Sequence, residues 1–289
     1  MELIIYTVVT LCVLGAILAV ILFLIAQKFK VFEDPRIDEV EAQLPGANCG
    51  GCGLPGCRGF AEACVKADSL GSLFCPAGGN AAMSKIAEVL GQVAVEKDPM
   101  IAVVRCAGSH EKRAKTNLYN GIASCASASM LYSGDTGCPN GCLGLGDCVS
   151  VCTFNAIYID EKTGLPVVSD TKCTACGACV KACPKNIIEL RLKGKKDRRI
   201  FVSCMNTEKG GVARKSCSVA CIGCGACVKA CAYEAIRLEN NLAYIDFEKC
   251  KLCRKCVETC PTNAIHELNF PPRKVKSADE APAGETVKE

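Results

Sequence analysis

The sequence has no tryptophan, only two histidines and 5% aromatic residues among its 289. With so few large rings, each part of the chain lacks apolar volume, and we expect several small modules rather than one large core. His110 and His266 stand alone, so we expect both at the surface and no histidine-based catalytic constellation. The net charge of +4 is too small to indicate nucleic-acid binding.

Cysteine, in contrast, occurs 26 times, mostly in tight runs. Disulfides do not fit, because thiols two residues apart cannot pair without strain and the chain is too long for a small secreted scaffold. A structural zinc site takes four thiolates from two C-x2-C pairs. Here the repeating unit supplies three thiolates in C-x2-C-x2-C and a fourth further on, often before proline. This pattern is typical of bacterial ferredoxins and predicts [4Fe–4S] clusters that carry electrons.

The cysteine unit is an internal repeat. Three copies follow one pattern, at residues 173–183, 221–231 and 250–260. A fourth, altered copy precedes them at residues 138–152, with Leu145 where the others have their second cysteine. We expect Cys138 to replace that missing ligand.

The copies are read in pairs, because the fourth cysteine of each run ligates the other cluster in two-cluster ferredoxins. The predicted ligand sets are Cys138, Cys142, Cys148 and Cys183; Cys173, Cys176, Cys179 and Cys152; Cys221, Cys224, Cys227 and Cys260; and Cys250, Cys253, Cys256 and Cys231. Between the two runs of each pair we expect a hairpin, over residues 156–168 and 235–246. Cys152 and Cys231 lack the following proline but are kept as ligands.

A different motif lies nearer the N-terminus, with ligands predicted at Cys49, Cys52, Cys57 and Cys75. Its glycines let the backbone wrap a bulky anion and direct N–H groups at the sulfurs, which predicts a fifth [4Fe–4S] cluster. Cys64 lies in an apolar helical stretch, and we expect a buried thiol there.

Four further cysteines lie outside these motifs, namely Cys106, Cys125, Cys204 and Cys217. Cys106 and Cys204 end similar apolar runs, and each is followed by a lysine-rich stretch and another cysteine. A sixth cluster on these four residues and four thiols buried under the modules are alternatives that the sequence leaves open.

Residues 3–26 carry no charge and would form a helix of about 36 Å, long enough to cross a bilayer. The absence of a basic segment before them and of a cleavage site after them favours a retained anchor over a signal peptide. Lys28, Lys30 and Arg36 follow the span and only Glu2 precedes it. The positive-inside rule therefore predicts a single-pass protein of the inner (cytoplasmic) membrane with its bulk in the cytoplasm, where thiols stay reduced.

The expected fold class is α+β, with an N-terminal transmembrane helix, a small iron–sulfur domain and two tandem bacterial-type two-[4Fe–4S] ferredoxin modules. The predicted divisions are 1–27 (anchor), 28–96 (N-terminal domain), 97–136 (connecting region), 137–192 (module 1), 193–215 (basic connection), 216–268 (module 2) and 269–289 (disordered tail). Such small cores should depend on cluster binding for their stability.

The basic connection contains Lys193, Lys195, Lys196, Arg198 and Arg199. Such a patch can steer an acidic electron donor such as a soluble ferredoxin. The alternative is a solvated link without a partner.

The apolar anchor, the Cys49-x2-Cys52-x4-Cys57-x17-Cys75 motif, the segment Gly-Cys-Leu-Gly-Leu-Gly-Asp-Cys at 141–148 and the tandem runs occur in this order. Together they resemble the B subunit of the Rnf complex, the membrane-bound ferredoxin:NAD+ oxidoreductase, over nearly the whole chain except the tail. The resemblance implies a subunit that accepts electrons from reduced ferredoxin and relays them to membrane and flavin-bearing partner subunits. Those partners would reduce NAD+ and drive Na+ or H+ across the membrane.

Two other classes stay open on the residues alone. The ferredoxin runs also suit the iron–sulfur subunit of another membrane-bound respiratory enzyme, a hydrogenase or a reductase. A zinc-binding structural or regulatory protein is the third class. We expect no flavin or nicotinamide site and no catalytic site in the chain itself.

Overall fold

The computed structural model describes residues 2–28, 33–131 and 134–272; most of the predicted disordered tail lies outside them. The helices are α1 (Glu2–Lys28), α2 (Arg36–Ala42), α3 (Gly56–Lys66), α4 (Gly79–Leu90), α5 (Cys125–Leu131), α6 (Asp147–Ser150), α7 (Ala178–Ala182), α8 (Gly210–Ser216), α9 (Ala226–Ala230) and α10 (Lys255–Glu258). The strands are β1 (Met100–Val104), β2 (Ile157–Asp160), β3 (Leu165–Val168), β4 (Ile188–Leu192), β5 (Arg199–Val202), β6 (Ile236–Glu239), β7 (Leu242–Ile245) and β8 (Ile265–Leu268). This mixture confirms the α+β class.

Helix α1 is apolar on every side. Its segment Ile4–Ile25 has a mean hydropathy of 3.2, and none of it is buried against the rest of the chain. By length and composition it is able to cross a bilayer.

The N-terminal domain packs α2, α3 and α4 around one small core. Helix α3 places apolar residues at the spacing i, i+3, i+4 and i+7, which gives it one buried face made of Cys57, Phe60, Ala61 and Cys64. Leu70, Met83 and Ile86 complete this core. Helix α3 thus lies immediately after the cysteine loop of this domain.

Each ferredoxin module consists of a hairpin and a second two-stranded sheet. The hairpins β2–β3 and β6–β7 are antiparallel and confirm the prediction for both modules. The second sheets pair β1 with β4 and β5 with β8. Strands β1 and β5 lie in the segments predicted as connections, so each module takes one strand from upstream of its first cysteine run.

The short helices α7 and α9 begin directly after glycines with positive φ. Gly177 has φ 78° and Gly225 has φ 72°. This left-handed conformation reverses the chain between the second and third cysteines of a run, and glycine adopts it without a steric penalty. In the last run Arg254 holds the same position with φ 69°, and its side chain forms a two-point ion pair with Glu267 at 2.6 and 2.7 Å.

A buried cluster of charges joins the two modules. Arg105 is 3.3 Å from the carboxylate of Glu189, and Arg191, which is 1% exposed, also pairs with Glu189. Both guanidinium groups stack on the ring of Tyr244 in module 2, at 5.0 and 5.2 Å from its centroid. These contacts fix module 1 against module 2, because separating the modules would leave the cations without their aromatic partner.

Candidate metal centres

Four cavities in the chain are each lined by four cysteines. The four groups are Cys49, Cys52, Cys57 and Cys75; Cys152, Cys173, Cys176 and Cys179; Cys221, Cys224, Cys227 and Cys260; and Cys231, Cys250, Cys253 and Cys256. The other lining residues are mostly small or aliphatic. Soft thiolates around an apolar cavity are the donor set that iron–sulfur clusters require.

Backbone N–H groups point at several of these sulfurs. The amides of Gly78, Ala156 and Ala264 donate to the Sγ atoms of Cys75, Cys152 and Cys260, each at 3.3 Å. Such donors stabilise negative charge on sulfur. The cavities therefore suit an anionic cluster with four thiolate ligands.

The fourth cysteine of every run enters the same turn. The residue three positions later has a left-handed backbone in all four runs, at Asn155, Asn186, Glu234 and Asn263, with φ between 48° and 55°. Asparagine adopts this conformation more readily than most residues. Cys152 and Cys231 share the turn although no proline follows them. The signal that sequence reasoning missed is asparagine three positions after Cys152, Cys183 and Cys260, and Glu234 takes its place after Cys231.

Burial favours the protonated form of several of these thiols. Burial raises the pKa of Cys179 and of Cys227 to about 11, and neighbouring thiols add to each shift. The pKa of Cys256 rises to about 12 for the same two reasons. Loading such sites with metal must therefore release protons.

The thiols of each group surround a cavity instead of converging on one point. Across residues 2–28, 33–131 and 134–272, no group of three or more His, Cys, Asp or Glu side chains is placed to hold a single metal ion. Cys64, in the same core as the N-terminal group, is fully buried, and burial followed by the nearby Cys52 and Cys75 raises its pKa to about 12.

The remaining predicted ligands are arranged differently from the expected grouping. Cys142 and Cys148 are buried in one core cluster, and Cys183 packs against it. Cys138 is not in that cluster. Its side chain is 3.7 Å from the amide nitrogen of Asn206, downstream of module 1. Cys125, in contrast, lies beside Cys148, because the amide of Cys125 donates to the carboxylate of Asp147 at 2.8 Å.

The predicted docking surface is smaller than expected. Arg199 is 5% exposed and bonds to Asp170 at 2.5 Å, so its charge is unavailable to a partner. Lys193 is also held, by the carbonyl of Asp170 at 2.7 Å. Lys195 and Lys196 stay exposed. A distant carboxylate, invisible in the local sequence, therefore removes Arg199 from this surface.

The two histidines differ in their surroundings. His110 is exposed, as expected. His266 lies half-buried on β8, where burial, and then the nearby Lys112, lowers its pKa. The expectation of a surface position is wrong for His266, because β8 pairs with β5 and His266 lines a cavity together with residues of β1 and β3 in module 1.

The N-terminal cysteine loop touches module 1. A Cβ atom on Gly51 would lie 2.9 Å from the Cα and carbonyl oxygen of Cys176. Only glycine fits this approach, so the two cysteine groups are direct neighbours in space.

Gly51→Ala is expected to lower the midpoint of thermal unfolding, because the new methyl group meets backbone that cannot rotate away. Overpacking of this kind costs about 1–3 kcal/mol. Gly211→Ala is the matched control, since nothing lies within 4 Å of the added methyl group. Equal midpoints for both variants and the unmodified chain would show that the two loops are not in contact.

These features define a protein that holds multiple [4Fe–4S] clusters in ferredoxin-type modules. The family described as "4Fe-4S dicluster domain" matches residues 137–187 and 220–264, and the family described as "Putative Fe-S cluster" matches residues 44–69.

Relatives extend the likeness over most of the chain. The B subunit of a Na(+)-translocating ferredoxin:NAD(+) oxidoreductase complex from Acetobacterium woodii is 46% identical over 88% of this chain and 74% of its own length. Its proton-translocating counterpart from Clostridium ljungdahlii is 40% identical over 93% and 94%. The B subunit of an ion-translocating oxidoreductase complex from Methanosarcina acetivorans is 39% identical over 87% and 94%. The chain belongs to the family of Rnf complex B subunits, and with its apolar helix this indicates membrane association.

Proposed function

We propose that this chain accepts electrons from reduced ferredoxin and relays them to partner subunits of an Rnf-type complex that reduces NAD+ and moves Na+ or H+. The observation that carries this proposal is the approach of the N-terminal cysteine loop to Cys176, which places the N-terminal cysteine group beside a cysteine group of module 1. Family membership favours this role over that of a hydrogenase or reductase subunit.

The cysteine groups would hold the clusters. We propose ligation by the four groups that line cavities, with Cys142, Cys148 and Cys183 at a further cluster in module 1. When bound, each cluster supplies one-electron redox chemistry. The protein contributes thiolates, backbone N–H donors and apolar walls, which set the potential and limit access of water.

The ferredoxin would dock beside Cys253. This cysteine is exposed, and Leu252 next to it lies 3.3 Å from the position of a Cβ on Gly194. The exposed Lys195 and Lys196 therefore flank the same group, and three exposed lysines of the last run add to the patch, at Lys249, Lys251 and Lys255. A basic surface around an exposed cysteine group suits an acidic donor protein.

Helix α1 would span the inner membrane once, with both modules in the cytoplasm. Lys28 ends the helix and Arg36 follows it, in agreement with the positive-inside rule. Ion movement would then belong to partner subunits, to which α1 anchors this chain.

The double variant Lys195→Glu/Lys196→Glu is expected to slow oxidation of reduced ferredoxin by about tenfold at low salt, because steering by a basic patch raises association rates by roughly 10–1000-fold. The rate is measured by anaerobic rapid mixing of the full chain in detergent with reduced ferredoxin. The difference should shrink as salt rises.

Lys85→Glu is the control for a charge reversal outside the basic patch, since Lys85 is exposed on α4 of the N-terminal domain. The docking proposal is overturned if Lys85→Glu slows the reaction as much as the double variant. Failure of the unmodified chain to oxidise ferredoxin would overturn the proposed function itself.

A further inference from the structure

We propose that a sixth [4Fe–4S] cluster lies at the junction of the two modules, held by Cys106, Cys138, Cys204 and Cys217, and that Cys125 takes the place of Cys138 in module 1. This inference rests on the proposed function, because it completes the path between the modules. It differs from the grouping expected from the sequence by the exchange of two cysteines.

The four sulfur atoms lie in two pairs, and each pair lies beside one residue. A Cβ atom on Gly108 would lie 3.3 Å from the Sγ of Cys217 and 3.7 Å from that of Cys106, so these two sulfurs flank one glycine. Asn206 joins the other pair. Its backbone N–H donates to the Sγ of Cys204 at 3.5 Å, and its side-chain amide nitrogen is 3.7 Å from the Sγ of Cys138.

The two pairs also lie close to each other. The amide of Ala107 donates to the carbonyl of Ser203 at 3.0 Å, which holds the segment that carries Cys106 against the segment that carries Cys204. Arg113 forms a β-bridge with Cys217 and Lys115 forms one with Thr136, so the segment that carries Cys138 lies beside the segment that carries Cys217. Cys138 is therefore surrounded by the three other members of the proposed group, each from a different segment of chain.

Arg113 supplies an independent reason to expect an anion here. It is 3% exposed, and its Nε has no hydrogen-bond partner among the residues that the structure describes. Its Cδ is 3.5 Å from the position of a Cβ on Gly108, the glycine flanked by Cys106 and Cys217. A buried cation requires a counter-charge, and a cluster with four thiolate ligands is an anion that would supply it.

Two buried hydroxyl groups next to the site also lack partners. Thr136, 1% exposed, precedes Cys138 by two residues, and Ser203, 3% exposed, immediately precedes Cys204. Neither side-chain oxygen has a hydrogen-bond partner within the described ranges. Buried hydroxyls are normally hydrogen-bonded, and sulfide at this position would accept from them.

Cys125 is held where module 1 lacks a thiol. The Asp147 carboxylate accepts hydrogen bonds from the amides of Cys125 and Ala126 and from the Ser124 hydroxyl, at 2.8–3.0 Å. Asp147 is the direct neighbour of Cys148. Cys125 thus supplies the fourth thiolate that Leu145 cannot.

The proposed site touches the first cysteine group of both modules. The amide of Cys142 donates to the Sγ of Cys106 at 3.5 Å. On the other side, the backbone amide of Cys221 donates a hydrogen bond to the Cys204 thiol. The sixth site therefore closes the gap between modules that a five-cluster arrangement leaves open.

The test compares serine variants of the full chain, purified without oxygen, by iron and acid-labile sulfide content and by EPR-monitored redox titration. The unmodified chain is expected to hold about 24 iron atoms, at four per cluster, and Cys204→Ser about four fewer. Cys138→Ser should remove the same EPR signal as Cys204→Ser, whereas Cys125→Ser should remove the same signal as Cys142→Ser. Cys64→Ser, a buried thiol outside every group, should keep all the iron.

About 20 iron atoms in the unmodified chain, with no change in Cys204→Ser, would overturn the sixth cluster. If Cys138→Ser removes the signal that Cys142→Ser removes, the exchange is overturned. Arg113→Gln keeps every thiol and covers the case of unstable serine variants. Arg113→Gln should shift the EPR signal that is lost in Cys204→Ser to a lower reduction potential. If the reduction potentials of all the signals stay unchanged in Arg113→Gln, that result counts against the site. Iron content does not depend on ferredoxin, so a fully loaded chain that fails to oxidise ferredoxin defeats only the proposed function.

Discussion

Removal of iron and sulfide is expected to abolish the cooperative fold of both ferredoxin modules while α1 stays helical. The helices α6, α7, α9 and α10 contain four or five residues, and every named strand pairs with only one other among the described residues. Helices this short and two-stranded sheets are marginal in water. Cysteines also form much of the buried core of module 2, so the core loses its centre with the clusters.

The size of this effect follows from the free energy that metal binding contributes to folding. Structural zinc sites contribute about 10–16 kcal/mol to folding, and a small domain is stable by about 5–15 kcal/mol in total. Loss of several multi-iron sites therefore exceeds what packing alone retains. Thermal scans by circular dichroism and limited proteolysis, before and after anaerobic chelation, measure the outcome. Refolding after the return of iron and sulfide is the control, and an apo chain that keeps its transition would contradict the prediction.

The parts of the fold that depend on nearby residues were predictable. Both hairpins follow from short alternating runs on either side of a turn, Lys162-Thr163-Gly164 in one and Asn240-Asn241 in the other. Helix α1 follows from an uninterrupted apolar run. In each case the residues that decide the structure lie within about ten positions of one another, so a local pattern is sufficient.

The parts of the fold that depend on residues distant in the sequence were not predictable. Strand β1 is buried because it pairs with β4, almost ninety positions later. The sequence near Met100–Val104 does not indicate that partner. The local sequence predicts that Arg199 belongs to a basic surface, whereas in the fold Arg199 pairs with Asp170. Cys138 lies only four positions before Cys142 in the sequence, yet its side chain contacts the side-chain amide of Asn206. Cysteine spacing gives the number of ligands, whereas the chain segments that meet decide which ligands share a cluster.

Cys183→Ser is expected to remove the cluster of Cys142 and Cys148 and to leave that of its own run intact. Cys183 follows α7 in an extended conformation, φ −80° and ψ 109°, which carries its side chain away from the preceding turn. Its thiol is among those that raise the pKa of Cys148 after burial. The thiols nearest Cys179 are instead Cys173, Cys176 and Cys152, which line one cavity with it.

The mirror variant Cys152→Ser makes this test decisive. It should affect the Cys173, Cys176 and Cys179 cluster, although Cys152 belongs to the preceding run. Each variant is expected to lose about four iron atoms and one EPR signal, and the two lost signals should differ. Where serine oxygen still binds iron, the same signal shifts in potential instead of vanishing, so its identity stays readable. Exchange of the two outcomes would mean that each run holds its own cluster, which the cavity shared by Cys152 and Cys176 argues against.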